Sequence, residues 1–284
     1  MSKIGLVVCG NSGIDYMDHD YDIEVFRSIL FVGANEYKDF IDIDAKKFYG
    51  LLKADPSLTP TTAQTSTGVM VETLEKLRDK GYDEILVVTI SNKLSGTYAG
   101  SMLAAKMVDG VKVTVFDSLS VAYPEAKMIL RAGEMVAEGS NMEEIIKELE
   151  FIRNNHTLYV TVDTLNYLVK GGRISGASGF VGALLKIKPL LALTKDGRIE
   201  SIEKIRTTAK ATDNLIQKFI DETKGLDVEP YIVHAYPGER LDYVIKEILA
   251  AKPELKEIKV FPLTPVVGAH AGPGALALGY ILNR

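Results

Sequence analysis

The stretch EILVVTISNKLSGTY, residues 84–98, joins an apolar run to a segment rich in hydroxyl side chains. Residues 85–90 are aliphatic or β-branched without a break, which is typical of a strand covered on both faces. In an open α/β sheet, ligands bind beyond the carboxyl ends of the strands. The stretch therefore predicts a buried parallel strand with a candidate site from Ser91 to Ser95. The alternative for these hydroxyls is a helix cap, with Gly96 packed close to a neighbour.

Similar apolar runs alternate with helical patterns along most of the chain. Apolar residues recur at helical spacing at 70–77, 128–135 and 145–152, and residues 140–143 form a candidate capping box. A further helix is expected from Gly274, after a short apolar strand at 266–267. Predicted strands occupy residues 4–9, 84–90, 111–116, 157–162, 187–193, 199–204, 231–234 and 259–262. This alternation predicts an α/β fold with largely parallel pairing.

The length of the chain predicts two domains. Its 284 residues correspond to about two units of roughly 150 residues each. The turn-forming cluster at 154–156 is the best boundary, which gives one domain at residues 1–155 and a second at residues 156–284. In the second domain, Asp196 and Gly197 lie between two apolar runs and indicate a β-hairpin, so we expect some antiparallel sheet there.

Composition and charge exclude several classes of protein. Hydrophobic residues make up 46% of the chain and charged residues 25%, as in ordinary globular proteins. The net charge of −5 comes from interspersed charges, which argues against nucleic-acid binding and against a polybasic membrane anchor. The single cysteine, Cys9, excludes internal disulfides and a cysteine-based zinc site, and we expect no metal. Because no apolar run reaches about 18 residues and the N-terminal run is too short for a signal peptide, we expect a cytoplasmic protein without a transmembrane segment.

Two further segments are rich in small and hydroxyl residues. Thr65 and Ser66 precede a predicted helix, where hydroxyls either cap the helix or bind an anionic oxygen. Gly171 and Gly172, followed by Arg173, are typical of a helix C-cap. The spacings of the P-loop and of the dinucleotide-binding fingerprint are absent, so nucleotide binding is unsupported.

The segment GAHAGPG, residues 268–274, surrounds His270 with small residues. A lone histidine is usually structural, but this one has no bulky neighbour in sequence. The small side chains leave space for a ligand to approach the ring. Of the four histidines, His270 is therefore our candidate for binding.

Taken together, these segments resemble the DegV family of fatty-acid-binding proteins, which serve a fatty-acid kinase. The matching stretches run in order along most of the chain: TS at 65–66, ISNKLSGTY at 90–98, FDS at 116–118, DTL at 163–165, GGRIS at 171–175, IKP at 187–189, KIRT at 204–207 and HAGPG at 270–274. The resemblance implies two α/β domains, with mixed, largely parallel sheets and a lipid tunnel between them.

The resemblance also implies roles for individual residues. The carboxylate of a long-chain fatty acid would be held by Thr65, Ser95 and His270, with Ser66 as a neighbour. Arg206 would lie near the mouth and help a separate kinase engage that carboxylate. The kinase would form an acyl phosphate with ATP, so this chain would bind and present the lipid without catalysing a reaction or using a cofactor. Gly171, Gly172 and Arg173 would be possible pocket residues.

Burial of an acyl chain is energetically sufficient for tight binding. A sixteen-carbon chain has about 14 methylenes, whose burial contributes roughly 11 kcal/mol before ordering costs. A buried carboxylate needs hydrogen-bond donors, which two hydroxyls and an imidazole can supply. Residues 176–185 are a candidate lining for the tunnel, or else a core helix.

Two other functions stay open. A hydrolase would use Ser95 as nucleophile and His270 as base. Against it, Leu94-Ser95-Gly96 does not match a nucleophile elbow, and no acidic residue near His270 is evident to orient it. The remaining alternative is a carrier of another small carboxylate or lipid.

Overall fold

The structure is a computed structural model and describes residues 3–179 and 187–284. The elements up to residue 154 are β1 Ile4–Cys9, β2 Ile23–Phe26, β3 Ile29–Val32, β4 Asn35–Lys38, α1 Ala45–Ala54, β5 Thr61–Ala63, α2 Thr67–Asp79, β6 Glu84–Thr89, α3 Thr97–Ala105, β7 Lys112–Asp117, α4 Tyr123–Ala137 and α5 Met142–Asn154. The later elements are β8 His156–Thr161, α6 Asn166–Gly171, β9 Leu190–Leu193, β10 Ile199–Glu203, α7 Thr208–Glu222, β11 Val228–His234, α8 Arg240–Ala251, β12 Lys259–Pro262, α9 Pro265–Ala271 and β13 Leu276–Leu282.

The first sheet is parallel and covered on both faces. Its four strands lie in the order β2-β1-β6-β7. Successive side chains of a strand point to opposite faces, so Val7 joins the core formed with α2 and α3, whereas Leu6 and Val8 join the core that contains α4. The α/β class and the parallel strands predicted from unbroken apolar runs are confirmed.

The second sheet has six strands in the order β10-β9-β8-β13-β11-β12. Four of its five pairings are antiparallel, and only β11 and β12 pair in parallel. The predicted hairpin around Asp196 and Gly197 is confirmed, since it joins β9 to β10. The sheet is more antiparallel than we expected because β13 lies between β8 and β11 and runs against both.

The end of the chain has its helix and strand in the opposite order from the prediction. Residues 266–267 lie within α9 instead of a strand, and the residues after Gly274 form β13 instead of a helix. Thr264 caps α9 through the amide of Val267, and Pro265 occupies the first helical position, where proline is favoured. These start signals outweigh the apolar pair that suggested a strand.

Two other local predictions need correction. The capping box of α5 is formed by Asn141 and Glu144, one residue later than predicted. The first half of the chain also contains an antiparallel sheet in the order β4-β3-β5, which was not predicted. Its strands have only three or four residues, too few for a period-two pattern to stand out.

Hydrogen bonds connect the two halves of the chain. The Ser91 hydroxyl donates to the carbonyl of Gly197 at 2.7 Å, and the Tyr49 hydroxyl donates to the carbonyl of Leu263 at 3.1 Å. A single apolar core contains residues of both large sheets. The domain boundary at residue 155 stays a prediction.

Within the described ranges, no helix is both long and apolar enough to cross a membrane.

His156 at the start of β8 makes the stability of the fold sensitive to acid. Its Nδ1 is bonded to the carbonyls of Arg153 at 2.9 Å and Ile152 at 3.3 Å. Burial, together with the nearby charge of Lys195, lowers the pKa of His156 from 6.5 to about 4. Below pH 6.5 the unfolded chain takes up a proton that the folded chain excludes, so stability falls as the pH drops towards 4.

We expect His156→Gln to flatten this acid dependence. Between pH 8 and pH 4, the wild type should lose about 3 kcal/mol of unfolding free energy more than the variant. Urea unfolding of both proteins across this range measures the difference. Two parallel curves of unfolding free energy against pH would show that His156 is not the group responsible.

Candidate functional site

A cavity lies between the two large sheets. The space between its protein atoms amounts to about 1060 Å³, the opening included. Most of the described side chains around it are aliphatic. They are Ala63, Ile90, Leu94, Val121, Ala122, Leu158, Val160, Val162, Leu168, Leu191, Ile199, Val233, Leu263, Val266, Val267, Ala271, Ala275 and Ala277.

One face of the six-stranded sheet forms a continuous apolar wall. Leu191, Val160, Ala277 and Val233 are neighbours across four adjacent strands, and all four line the cavity. The other face of the same strands packs against α7 and α8, where Tyr159 belongs to a separate core. Because the wall belongs to a sheet supported from behind, its shape is set before any ligand enters.

The opposite wall comes from the carboxyl ends of the parallel strands. Asn11 follows β1, Leu94 and Ser95 follow β6, and Ala122 follows β7, and all of them line the cavity. This is the edge of an open α/β sheet where ligands bind. The side-chain oxygen of Asn11 is buried without a hydrogen-bond partner in the described part of the chain.

The polar end of the cavity is built around His270, in the last turn of α9. Its Nε2 lies 2.8 Å from the hydroxyl oxygen of Thr62 on β5. Its Nδ1 is buried and has no hydrogen-bond partner among the residues described. Burial, together with the nearby charge of Arg173, lowers the pKa of His270 from 6.5 to about 4. The imidazole is therefore neutral at physiological pH.

Gly171 provides the space in which the imidazole lies. A Cβ at this position would come within 2.3 Å of Nδ1 of His270. Gly172 ends α6 in the left-handed conformation, with φ of +69°, and a Cβ added there would meet nothing within 4 Å. The C-cap predicted for these glycines is confirmed, and Gly171 also contacts the site.

Arg173 connects two loops beside His270. Its Nε donates to the carbonyl of Leu94 at 3.1 Å, and its Nη1 donates to the carbonyl of Gly171. The guanidinium thus ties the loop after β6 to the end of α6. It is the only cationic side chain among the described residues that line the cavity.

The predicted carboxylate-binding residues occupy different places. Ser95 and His270 line the same cavity, and the Ser95 hydroxyl lies 2.8 Å from that of Thr97. Thr65 is buried beside the cavity, and its hydroxyl donates to the carbonyl of Arg27 at 2.8 Å. Ser66 caps α2 through the amide of Val69.

Other predicted residues lie outside the cavity or outside the described ranges. Arg206 is exposed in the loop between β10 and α7. The proposed lining at 176–185 includes 180–185, which lie outside the described residues. Within the described ranges, no group of three or more His, Cys, Asp or Glu side chains could hold a metal ion.

Sequence reasoning missed Thr62, the hydrogen-bond partner of His270. Thr62 and Gln64 both line the cavity, two residues apart on and just after β5. Their spacing matches one face of a strand. Because β5 has only three residues, this two-residue spacing was the only sequence pattern that could have identified Thr62.

The fold thus encloses a cavity whose lining is mostly aliphatic, with a polar end around His270. A family model described as "Uncharacterised protein, DegV family" matches residues 11–283. The chain belongs to the DegV family. The resemblance drawn from the sequence is thereby confirmed.

Individual relatives match along almost their whole length. A DegV domain-containing protein of Staphylococcus aureus (strain COL) is 36% identical over 263 residues, covering 92% of this chain and 91% of that protein. DegV, a fatty acid binding protein from Bacillus subtilis, has a crystal structure that matches this chain with a TM-score of 0.88 and full coverage of both chains. The two sequences are 31% identical. A DegV lipid binding protein from Thermotoga maritima is 28% identical, with a TM-score of 0.82 and 99% coverage of both.

The close approach of Gly171 to His270 can be tested with two alanine variants. Gly171→Ala should displace the ring, costing about 1–3 kcal/mol of stability, and should raise the pKa of His270 towards its ordinary value as water reaches the imidazole. Gly172→Ala is the matched control, since it adds only backbone strain of about 1 kcal/mol. NMR titration of the histidine ring signals measures the pKa. An unchanged His270 pKa in Gly171→Ala would show that this contact does not position the ring.

Proposed function

We propose that this protein binds a long-chain fatty acid in the cavity and presents its carboxylate to a separate ATP-dependent kinase. The observation that carries the proposal is the division of one cavity into an apolar wall and a polar end. Leu191, Val160, Ala277 and Val233 supply the wall, and His270 lies at the polar end. The relatives described as fatty acid or lipid binding proteins have the same fold over their full length.

The polar end suits a carboxylate because it offers several donors and little fixed charge. The hydroxyls of Ser95 and Thr62, the neutral imidazole of His270 and the guanidinium of Arg173 all line it. A carboxylate transferred from water into such a site needs these hydrogen bonds to offset its desolvation. Two of the three guanidinium nitrogens of Arg173 already donate to backbone carbonyls. The guanidinium is therefore partly used within the protein, and the other donors share in holding the carboxylate.

Thr65 and Ser66 also belong to the proposed head-group region. The hydroxyl of Thr65 donates to the Arg27 carbonyl, which ties the segment after β5 to the connection between β2 and β3. A carboxylate only accepts hydrogen bonds, so a direct contact requires the Thr65 hydroxyl to give up its bond to Arg27 and donate to the ligand. Ser66 accepts the amide of Val69 as the cap of α2, and its hydroxyl hydrogen can donate to a ligand while this bond is kept.

The hydrogen bonds of Ser95 and His270 favour binding over hydrolysis. A nucleophilic serine is activated by a base that is itself oriented by a third group. Here Ser95 is bonded to Thr97 and His270 to Thr62, and no carboxylate in the described ranges accepts from the imidazole. A small polar carboxylate is also a poor match for a wall of aliphatic side chains.

Presentation to a kinase is the second part of the proposal. Arg206 is exposed and has no role in the cavity wall as described, so its guanidinium is available to another protein. The kinase would transfer the γ-phosphoryl group of ATP to the lipid carboxylate, giving an acyl phosphate and ADP. The cytoplasm, where ATP is present, is the compartment that this role requires.

Native mass spectrometry of the purified protein, followed by organic extraction, tests lipid binding. The wild type should carry one fatty acid of about 14 to 18 carbons, as expected from the large apolar burial. His270→Ala should stay folded but bind added fatty acid roughly 10- to 100-fold more weakly, because a charged group loses a buried donor. His19→Ala, outside the cavity, is the matched control.

Any of three results would contradict this assignment. A wild-type protein that is empty and takes up no added fatty acid would exclude lipid carriage. Unchanged affinity in His270→Ala would show that the carboxylate lies elsewhere. Hydrolysis of acyl esters that is lost in Ser95→Ala would favour the hydrolase instead.

Arg206→Ala separates lipid binding from presentation. We expect fatty-acid affinity to stay within about twofold, because exposed charges contribute little to a buried site, while phosphorylation by the kinase falls at least tenfold. Arg198→Ala, another exposed arginine, is the control. Titration with fatty acid and measurement of ADP formation give the two readouts. Equal losses in both would place Arg206 in the cavity instead of at the interface.

A further inference from the structure

A second, smaller cavity lies on the other side of His270. Its space amounts to about 470 Å³, the opening included. Three residues, Thr62, Arg173 and His270, line both cavities and so form a partition between them. The remaining described residues around it are Thr59, Pro60, Thr61, Tyr167, Lys170, Gly171 and Ala269.

The two cavities differ in chemistry. The larger one is lined mainly by aliphatic side chains, whereas the smaller one has two cations, Lys170 and Arg173, together with threonine hydroxyls and a tyrosine. No carboxylate is among the described residues that line it. Such a set of cations and hydroxyl donors is suited to an anion, and especially to a phosphate with its several acceptor oxygens.

Lys170 is available to a ligand in this cavity. Its ammonium group lies 3.5 Å from the Thr59 hydroxyl, at the limit of a hydrogen bond, and it forms no salt bridge within the described ranges. The side chain is exposed, and it does not line the larger cavity as described. Its charge can therefore serve the smaller cavity without contributing to the apolar one.

We propose that the smaller cavity holds the phosphate of the acyl phosphate, with Lys170 as its main cationic contact. The inference rests on the proposed function. A carboxylate oxygen of the lipid attacks the γ-phosphorus of ATP, the bond from that phosphorus to the oxygen of ADP breaks, and the products are acyl phosphate and ADP. The head group gains a phosphoryl group and about one further negative charge.

The position of the partition indicates where the phosphoryl group of the product would lie. A phosphate cannot enter the apolar cavity without losing its hydration, at a large energetic cost. If the carboxyl carbon lies at the partition of Thr62, Arg173 and His270, a phosphate bonded to it extends into the smaller cavity. There Lys170 and the threonine hydroxyls replace the lost water.

The experiment uses a stable mimic of the product. The probe is an acylmethylphosphonate, in which a methylene replaces the bridging oxygen, with the same acyl chain as the fatty acid used for comparison. Calorimetric titrations give the affinity of the wild type, Lys170→Ala and the control Lys53→Ala for both lipids. Lys53 is exposed on α1 and lines neither cavity as described.

We expect Lys170→Ala to weaken phosphonate binding about tenfold and to leave fatty-acid binding within about twofold, as for the loss of one charge-assisted contact. Lys53→Ala should change neither affinity. A phosphonate affinity that does not depend on Lys170, or an equal loss for both lipids, would overturn the assignment.

A second titration distinguishes the lipid's own phosphate from a free one. Inorganic phosphate added to the protein loaded with fatty acid should bind far more weakly than the phosphonate. Comparable, Lys170-dependent binding of inorganic phosphate would identify a free-phosphate site and overturn the proposal. If the wild type binds no fatty acid at all, the proposed function itself fails, whereas normal fatty-acid binding with a Lys170-independent phosphonate affinity overturns only the phosphate site.

Discussion

The hydrogen bond between Thr62 and His270 joins residues 208 positions apart and closes the polar end of the cavity. It exists only because several other constraints are met. Thr264 and Pro265 start α9, and Gly171 has no Cβ where the imidazole lies. The α9 amide of Val266 is held by the buried carboxylate of Asp39 at 3.3 Å. Together these contacts bring the small antiparallel sheet, the last helix and the end of α6 to one point.

The desolvation that keeps His270 neutral also gives the site its chemistry. A protonated imidazole beside Arg173 would place two cations at the end of an apolar cavity, and burial prevents this at physiological pH. The neutral ring can then donate or accept a hydrogen bond without a fixed charge. In the proposed complex, a lipid head group at the partition would stay accessible from the side on which Lys170 lies.

The six-stranded sheet contributes both to the stability of the fold and to the apolar wall of the cavity. One face of its strands packs on α7 and α8 with fully buried side chains such as Ile232 and Leu278. The other face presents a row of aliphatic side chains to the cavity. An unfilled apolar cavity forgoes contacts that its lining would otherwise make. An acyl chain bound in the cavity, as proposed, would restore them and so link ligand binding to the stability of the folded state.

The sequence by itself determined the features that depend on neighbours along the chain. Unbroken apolar runs located β1 and β6, the Asp196-Gly197 pair located a hairpin, and paired glycines located the end of α6. Ordered motifs identified the family. Only the tertiary structure decided the order of α9 and β13, the presence of the small sheet with Thr62, the bond of the Thr65 hydroxyl to Arg27, and the division into two cavities. These features depend on groups that lie far apart in sequence. The hydrogen-bond partner of a hydroxyl is set by three-dimensional geometry, which no local sequence pattern specifies.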